Sequence, residues 1–300
     1  MNSVSTKDTA QPDYKFSDSD FQVIAALAKD RFGLDLQPSK KPLVYSRLSK
    51  RLRVLGLGCF SEYCKLLKGD QTEQEINHLL SALTTNVTHF FREMHHFDYL
   101  VENIAPRLVQ RAQAGERIRL WSAACSAGQE AYCIAAVLLS IERQIADLDI
   151  RILATDIDPK MIAVAKGARY SIEQRQAIPE RFRQFMLDAA SGQSQIEMSS
   201  EVRNIISFAE LNLIETWPMR GKFDVIFCRN AAIYFDKKTQ ETLWDRFADV
   251  LLPGGHLMIG HSERLSGRAE SQFQSIGITA YSKKPAIRKP DCSDIEGRQP

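Results

Sequence analysis

Short apolar runs alternate with helix-period stretches from Ile118 to Gly260, and no such run precedes them. That alternation limits the fold more than any other feature of the chain. Ile118-Arg-Leu-Trp-Ser-Ala-Ala124 reads as a strand, followed by a small-residue turn, Cys125-Ser-Ala-Gly128, and a helix carrying Ile134, Val137, Leu138 and Ile141. Ile150-Arg-Ile-Leu-Ala-Thr-Asp156 is a second strand that ends in an acid. Asp158-Pro159 caps the next helix, Met161 to Lys166, with proline at its first position. Phe223 to Cys228 is a further strand. A helix covering Leu243, Phe247 and Val250, a Pro253-Gly254-Gly255 turn and the strand His256 to Gly260 complete the pattern. Strands alternating with helices predict a parallel, doubly wound, Rossmann-like α/β sheet.

The first third differs. Phe21, Ile24, Ala25, Ala28 and Phe32 form a helical stripe stopped by Gly33, and Pro42 opens a second helix with Val44, Leu48, Leu52 and Leu55 on its apolar side. Gly56 and Gly58 end it; Ser61 caps a short helix closed by Gly69. Thr72 and Glu75 form a capping box ahead of Ile76, Leu79, Leu80 and Leu83. The expected organisation is a small all-α domain over residues 16–85 and an α/β domain over 86–283, with loose tails at 1–15 and 284–300. The polar stretch from Gly167 to Ile206, with its Ser191-Gly192 turn, is too long for a plain loop and predicts a small inserted subdomain.

A net charge of +2 confines any polyanion-binding surface to a local patch. The six cysteines form no C-x-x-C pair, so buried reduced thiols are expected rather than a zinc cluster or a disulfide framework. With no spanning-length apolar run and no leader, the expected location is the cytoplasm. No coiled-coil pattern is evident, and a monomer is expected.

In a doubly wound sheet, ligands meet the carboxyl ends of the strands. The turn after the first strand is neither G-x-G-x-x-G nor a P-loop, which weakens dinucleotide and triphosphate readings. Asp156, ending the second strand, is placed to accept hydrogen bonds from ribose hydroxyls. Glu130, just inside the helix after the glycine turn, favours a cationic group, although a carboxylate there also suits the helix dipole. A nucleoside ligand flanked by carboxylates, with no phosphate site, suggests S-adenosylmethionine.

Two segments sharpen this. Thr84-Thr-Asn-Val-Thr-His-Phe-Phe-Arg-Glu93 and Cys228-Arg-Asn-Ala-Ala-Ile-Tyr-Phe-Asp236 resemble the chemotaxis receptor methyltransferase (CheR) family. Similar motifs recur, in family order, in Leu120-Trp-Ser-Ala-Ala-Cys-Ser-Ala-Gly-Gln-Glu130, Ala154-Thr-Asp-Ile-Asp158, Leu211-Asn-Leu213 and Gly260-His-Ser-Glu263. The resemblance covers roughly residues 16–283. It implies an S-adenosylmethionine-dependent protein-glutamate O-methyltransferase that acts on cytoplasmic helices of chemoreceptors. It implies that Asn86, Thr88 and Arg92 reach over the cofactor, that Glu130 and Asp156 bind its methionine amino end and ribose, and that Asn212 and Leu213 touch the adenine side, with Arg229 and Asn230 nearby. Arg92 and Tyr234 are the implied catalytic residues. The turn departs from the family's Ser-Thr-Gly-Glu-Glu-Pro-Tyr, reading Ser126-Ala-Gly-Gln-Glu-Ala-Tyr132, and Ala231 and Ala232 are smaller than usual.

Phe90 and Phe91 read as core residues. His89, His95, His96 and His261 lack the spacing of a metal site on one element, and no metal is expected. No acid lies between Gln37 and Ser61, and Arg47, Lys50, Arg51 and Arg53 fall in that window, so this helix is the expected docking surface for an acidic partner. Two other functions remain open from the residues: a nucleic-acid methyltransferase, whose methylated bases resist mild alkali, and a cofactor-binding sensor without turnover.

Overall fold

The computed structural model describes residues 14–69, 73–187 and 194–285. Apart from residues 14, 15, 284 and 285, the expected tails lie outside the described residues, as do Thr72, the Ser191-Gly192 turn and Cys292. The chain divides into two compact units: residues up to Asn86 together with Tyr234–Asp236, and Val87–Ile233 with the residues from Lys237 onward.

The first unit is helical. Helix α1 (Asp18–Phe32) opens on a capping box in which Ser17 and Asp20 exchange side-chain and backbone hydrogen bonds, and closes at Gly33 with φ 74°. Helix α2 (Lys41–Leu55) buries Val44, Leu48 and Leu52 and ends at Gly56 with φ 66°. Each such buried leucine contributes about 1.5–3 kcal/mol. Helix α3 (Phe60–Leu66) starts two residues earlier than expected. Cys59, not Ser61, is its N-cap, because the Phe60 amide donates to the Lys15 carbonyl and the Phe60 ring stacks on Phe16 at 4.1 Å. Helix α4 (Glu73–Leu83) turns Ile76, Leu79, Leu80 and Leu83 inward. Tyr234–Asp236 joins this unit through bonds from the Asp35 amide to the Tyr234 carbonyl (2.8 Å) and from Lys29 to Asp236 (2.8 Å).

The second unit is built on a seven-stranded sheet. It begins with α5 (His95–Tyr99), which passes through a π-helical stretch, Leu100–Ile104, into α6 (Ala105–Gln113). The chain then runs β1 (Ile118–Ala123), α7 (Gln129–Ile141), β2 (Ile150–Asp156) and α8 (Pro159–Gly167). A block follows in which β3 (Arg169–Ser171) pairs antiparallel with β4 (Gln195–Glu197), accompanied by α9 (Glu180–Met186) and α10 (Ser200–Asn204). Tyr170, Phe182, Met186 and Ile196 tie this block into the main core. The chain continues through β5 (Ile206–Glu210), β6 (Phe223–Cys228), α11 (Lys237–Val250), β7 (Leu251–Ile259), α12 (Ala269–Gln272), β8 (Phe273–Gly277) and β9 (Ala280–Lys283).

The strand order is β5-β2-β1-β6-β7-β9-β8; the strands from β5 to β7 in this order are parallel, β9 runs antiparallel to them, and β8 pairs antiparallel with β9 at the edge. From β1 the chain winds outward through β2 to β5, then restarts at β6 on the other side. The switch in direction therefore falls between β1 and β6, the crevice where such sheets hold ligands. Pro253-Gly254-Gly255 is not a turn ahead of the last parallel strand, as expected, but lies within β7, where the pairing with β6 slips register. Cys64, Cys125, Cys133 and Cys228 are buried free thiols and Cys59 is half-buried and free.

Candidate active site

The carboxyl ends of β1, β2 and β6 carry the expected chemistry. After β1 the chain turns through Ala124 (φ 62°), Ser126 (φ 49°) and Gly128 (φ 92°). A Cβ on Gly128 would stand 2.8 Å from the Cβ of Ala165 on α8, so only glycine lets this turn close against that helix. Of the seven described non-glycine residues with positive φ, five (Phe91, Glu93, Ala124, Ser126 and Asn230) lie on the segments described here. Concentrated backbone strain of this kind marks a constellation held in place by its surroundings.

Asp156 is 7% exposed. Its carboxylate accepts from the Ser126 amide (2.7 Å) and the Asp158 amide (2.9 Å), each on a different oxygen. A carboxylate has about four acceptor positions, so acceptor capacity remains for a hydroxyl donor. Burial holds its carboxyl above the ordinary aspartate range, against the pull of those amides. The Asp156 carbonyl receives the Leu211 amide at 2.9 Å, which brings Asn212 and Leu213 past the end of β5 beside β2. Asn212 closes a local turn onto the Ile214 amide and Glu215, while the Leu213 carbonyl accepts from Trp217 and Arg246. Arg246 also lies over the Trp217 ring, 3.9 Å from its centroid.

Glu130 and Arg229 form the second part of the site. The Ser122 hydroxyl donates to Glu130 Oε1 at 2.6 Å, and Arg229 Nη1 donates to Glu130 Oε2 at 3.1 Å. Arg229 also pairs with Glu93 Oε2 at 3.2 Å and donates to the Arg92 carbonyl. Its side chain is 2% exposed, so Arg229 sits behind the site and joins the turn containing Arg92 and Glu93 to α7. Burial raises the Glu130 carboxyl above its usual range despite Arg229 and Ser122, which act in the opposite direction. Asn230, on a left-handed backbone, donates its side-chain amide to Glu93 Oε1 at 3.2 Å. Two carboxylates, Glu93 and Glu130, thus share one guanidinium, Asp156 is held by backbone amides, and the imbalance suits a ligand with a cationic end and vicinal hydroxyls.

The structure therefore brings together Arg92 through its backbone, Glu130, Arg229 and Asn230, with Asp156, Asn212 and Leu213 along the neighbouring strand ends. The Arg92 side chain is half-buried and donates to the Val87 carbonyl at 3.2 Å; Thr88 lies half-buried in the same segment. Asn86 and Tyr234 belong to the helical unit. Phe90 and Phe91 are core residues: Phe91 stacks on Phe182 at 4.7 Å, and Phe90 meets Tyr170 edge-on at 5.1 Å. Glu93, His95 and His96 each bring one potential ligand atom within 4.8 Å of the others. Arg229 already neutralises Glu93 there and opposes a metal cation. His96 is fully buried with Nε2 3.1 Å from the Ile278 carbonyl, and burial pushes its imidazole down to about 3, so it is neutral.

The docking-helix residues divide. Arg47 donates to the Leu83 and Thr84 carbonyls and to Thr85, capping the carboxyl end of α4. Arg51 forms a two-toothed pair with Glu75 on α4, which also accepts from Tyr63 at 2.8 Å. Both side chains are engaged inside the helical unit. Lys50 and Arg53 are exposed. Glu93 and Ser122 are site residues that composition and spacing missed; the signal available was their place inside the quoted motifs.

A doubly wound sheet with an acid ending β2, a glycine-closed turn after β1 and a carboxylate-rich crevice defines an S-adenosylmethionine-dependent methyltransferase. The chain matches the family models described as CheR methyltransferase, all-alpha domain, over residues 19–84, and CheR methyltransferase, SAM binding domain, over residues 86–282. It is 49% identical over 251 residues, 83% of this chain and 94% of the relative, to a probable chemotaxis protein methyltransferase of Rhizobium etli. It is 38% identical over 269 residues, 89% of this chain and 91% of the relative, to the chemotaxis protein methyltransferase of Escherichia coli. The chain belongs to the CheR methyltransferase family.

Proposed function

We propose that the protein esterifies glutamate side chains of chemoreceptors, using S-adenosylmethionine, in chemotactic adaptation. The observation that carries this is the 49% identity to a probable chemotaxis protein methyltransferase across nearly that relative's whole length. The chemistry of the crevice agrees with it. A glutamate acceptor has a reference pKa near ~4.3 and is already an anion at neutral pH, so transfer to its oxygen needs no general base. No free imidazole is needed beside the crevice, and His96 is locked neutral in the core.

S-adenosylmethionine, when bound, supplies a methyl made electrophilic by its sulfonium. Asp156 has the spare acceptor capacity to hold a ribose hydroxyl, and Glu130 offers charge for the ammonium end. Asn212 and Leu213, at the end of β5, serve the adenine. Thr88 and Asn86 are kept as cofactor contacts on the motif alone. Arg92 has a guanidinium whose fork matches a carboxylate and can orient the acceptor. Tyr234 is proposed as a second catalytic residue, also on the motif alone; its phenol can fix an acceptor oxygen. The crevice must keep water off the acceptor, since hydration weakens a carboxylate nucleophile. Lys50 and Arg53 are the proposed contacts to the acidic receptor helices, with Arg47 and Arg51 supporting the helix that displays them.

The test is incubation with methyl-labelled S-adenosylmethionine and membranes carrying chemoreceptors. Label released as methanol by mild alkali, and lost when receptor glutamates become alanine, is the expected result. Label that resists alkali, or resides in nucleic acid, would overturn the proposal.

A further inference from the structure

The turn Gly260-His-Ser-Glu263 after β7 has no part in the function so far described. Glu263 is 4% exposed. Its Oε2 accepts the Gly260 amide at 2.5 Å and the Asn230 amide at 3.1 Å; its Oε1 accepts the Ile233 amide at 3.2 Å. The Ala232 amide bonds to it as well. A buried carboxylate is thus met by backbone N–H groups from the segment 230–233 rather than by a cation, an arrangement costly to bury unless the donors are fixed.

The turn is built around this contact. A Cβ on Gly260 would lie 2.5 Å from Asn230 Nδ2, 2.7 Å from the Asn230 amide nitrogen and 2.9 Å from Glu263 Oε2. Only glycine lets the two segments approach this closely. The next residue, His261, donates its amide to Glu93 Oε1 at 3.3 Å, the oxygen that also receives the Asn230 side chain. Glu93 in turn pairs with Arg229, and Arg229 with Glu130. One short turn therefore reaches both the segment that carries Arg229 and Asn230 and the carboxylate that holds their side chains.

We propose that Glu263 is a positioning residue for methyl transfer: its carboxylate fixes the backbone of residues 230–233 and thereby aims Arg229 and Asn230 at Glu93 and Glu130. Its kinetic consequence rests on the methyltransferase function proposed above. Its structural consequence does not. Asn230 holds a left-handed backbone, φ 58°, and the carboxylate accepts the amide of that residue.

Glu263→Gln keeps the shape but presents an NH2 group to amides that need an acceptor. Glu263→Asp keeps the charge and shortens the reach. In the full chain, E263Q is expected to weaken binding of S-adenosylhomocysteine, read by calorimetry, and to lower kcat, each about 10- to 100-fold, the effect of misplaced site groups, while the melting temperature changes little. E263D is expected to recover part of that kcat. In ¹⁵N-resolved NMR, the Gly260 and Asn230 amides and the Arg229 Nε–H should shift in E263Q while signals of the helical unit stay in place. Should E263Q fail to fold, the same readings are taken on E263D against the wild type. Unchanged kcat with unchanged Arg229 and Asn230 signals would overturn the proposal, as would losses of kcat and affinity that simply track a fall in melting temperature across E263Q and E263D. If the wild type methylates no receptor, the functional proposal fails and the NMR shifts alone decide the role of Glu263.

Discussion

Arg229 Nη1 lies 3.1 Å from Glu130 Oε2, and the same guanidinium stands 3.2 Å from Glu93 Oε2. Three sequence-distant segments, the turn at Arg92–Glu93, the start of α7 and the end of β6, meet at one buried cation. Arg229→Met removes that cation and leaves two largely buried carboxylates without a counter-charge, a change that costs about 3 kcal/mol. Urea denaturation followed by the fluorescence of Trp121 and Trp217 measures it. A loss below about 1 kcal/mol would show that the carboxylates do not depend on Arg229.

Gly128 tests the turn after β1. Its φ of 92° and the 2.8 Å approach to Ala165 make Gly128→Ala doubly unfavourable. The expected cost is about 1–3 kcal/mol from strain and overpacking, with S-adenosylhomocysteine affinity reduced at least tenfold. Thermal melting and calorimetry read the two effects.

Glu75 makes the helical unit sensitive to acid. Burial alone raises its carboxyl, but hydrogen bonds from Arg51 and Tyr63 more than reverse this and leave it below the usual range. Its folded pKa being depressed, its stabilisation is complete above the unfolded value, about 4.3, and is lost as pH falls through the folded value. Wild-type stability should drop more steeply below about pH 4.3 than that of Glu75→Gln, which should be less stable at neutral pH. Identical pH profiles for the two proteins would refute the assignment.

Lys50 and Arg53 are exposed on α2 while Arg47 and Arg51 are engaged by α4. Charge reversal of the exposed pair, Lys50→Glu with Arg53→Glu, should raise the KM for receptor and flatten its salt dependence while leaving kcat and cofactor affinity unchanged. Arg51→Ala should instead lower the melting temperature. Equal effects of both changes on receptor KM and on melting would contradict the division.

Strands β1, β2 and β6 were legible because central parallel strands are buried on both faces and read as continuous apolar runs. The edge strand β5 and the hairpin of β8 and β9 mix exposed polar residues into short segments, and they gave no such signal. The helical stretch from His95 to Gln113 is broken by a π-helical piece, which interrupts the 3.6-residue period. Asp156 and Glu130 could be placed from sequence because the fold fixes what ends β2 and what starts α7. Glu263 could not, since its partners are backbone amides that every residue carries. The basic face of α2 was visible as composition, but the acid that engages Arg51 lies 24 residues away.

The central claim is that the crevice at the carboxyl ends of β1 and β2 holds the nucleoside through Asp156. Asp156→Asn keeps the size and removes the charge, so the most direct measurement is calorimetric titration of this variant with S-adenosylhomocysteine beside the wild type. Losing charge-assisted bonds of about 1.5–3 kcal/mol each predicts an affinity at least about tenfold weaker, with the circular dichroism spectrum unchanged. Wild-type affinity in the folded variant would contradict the account.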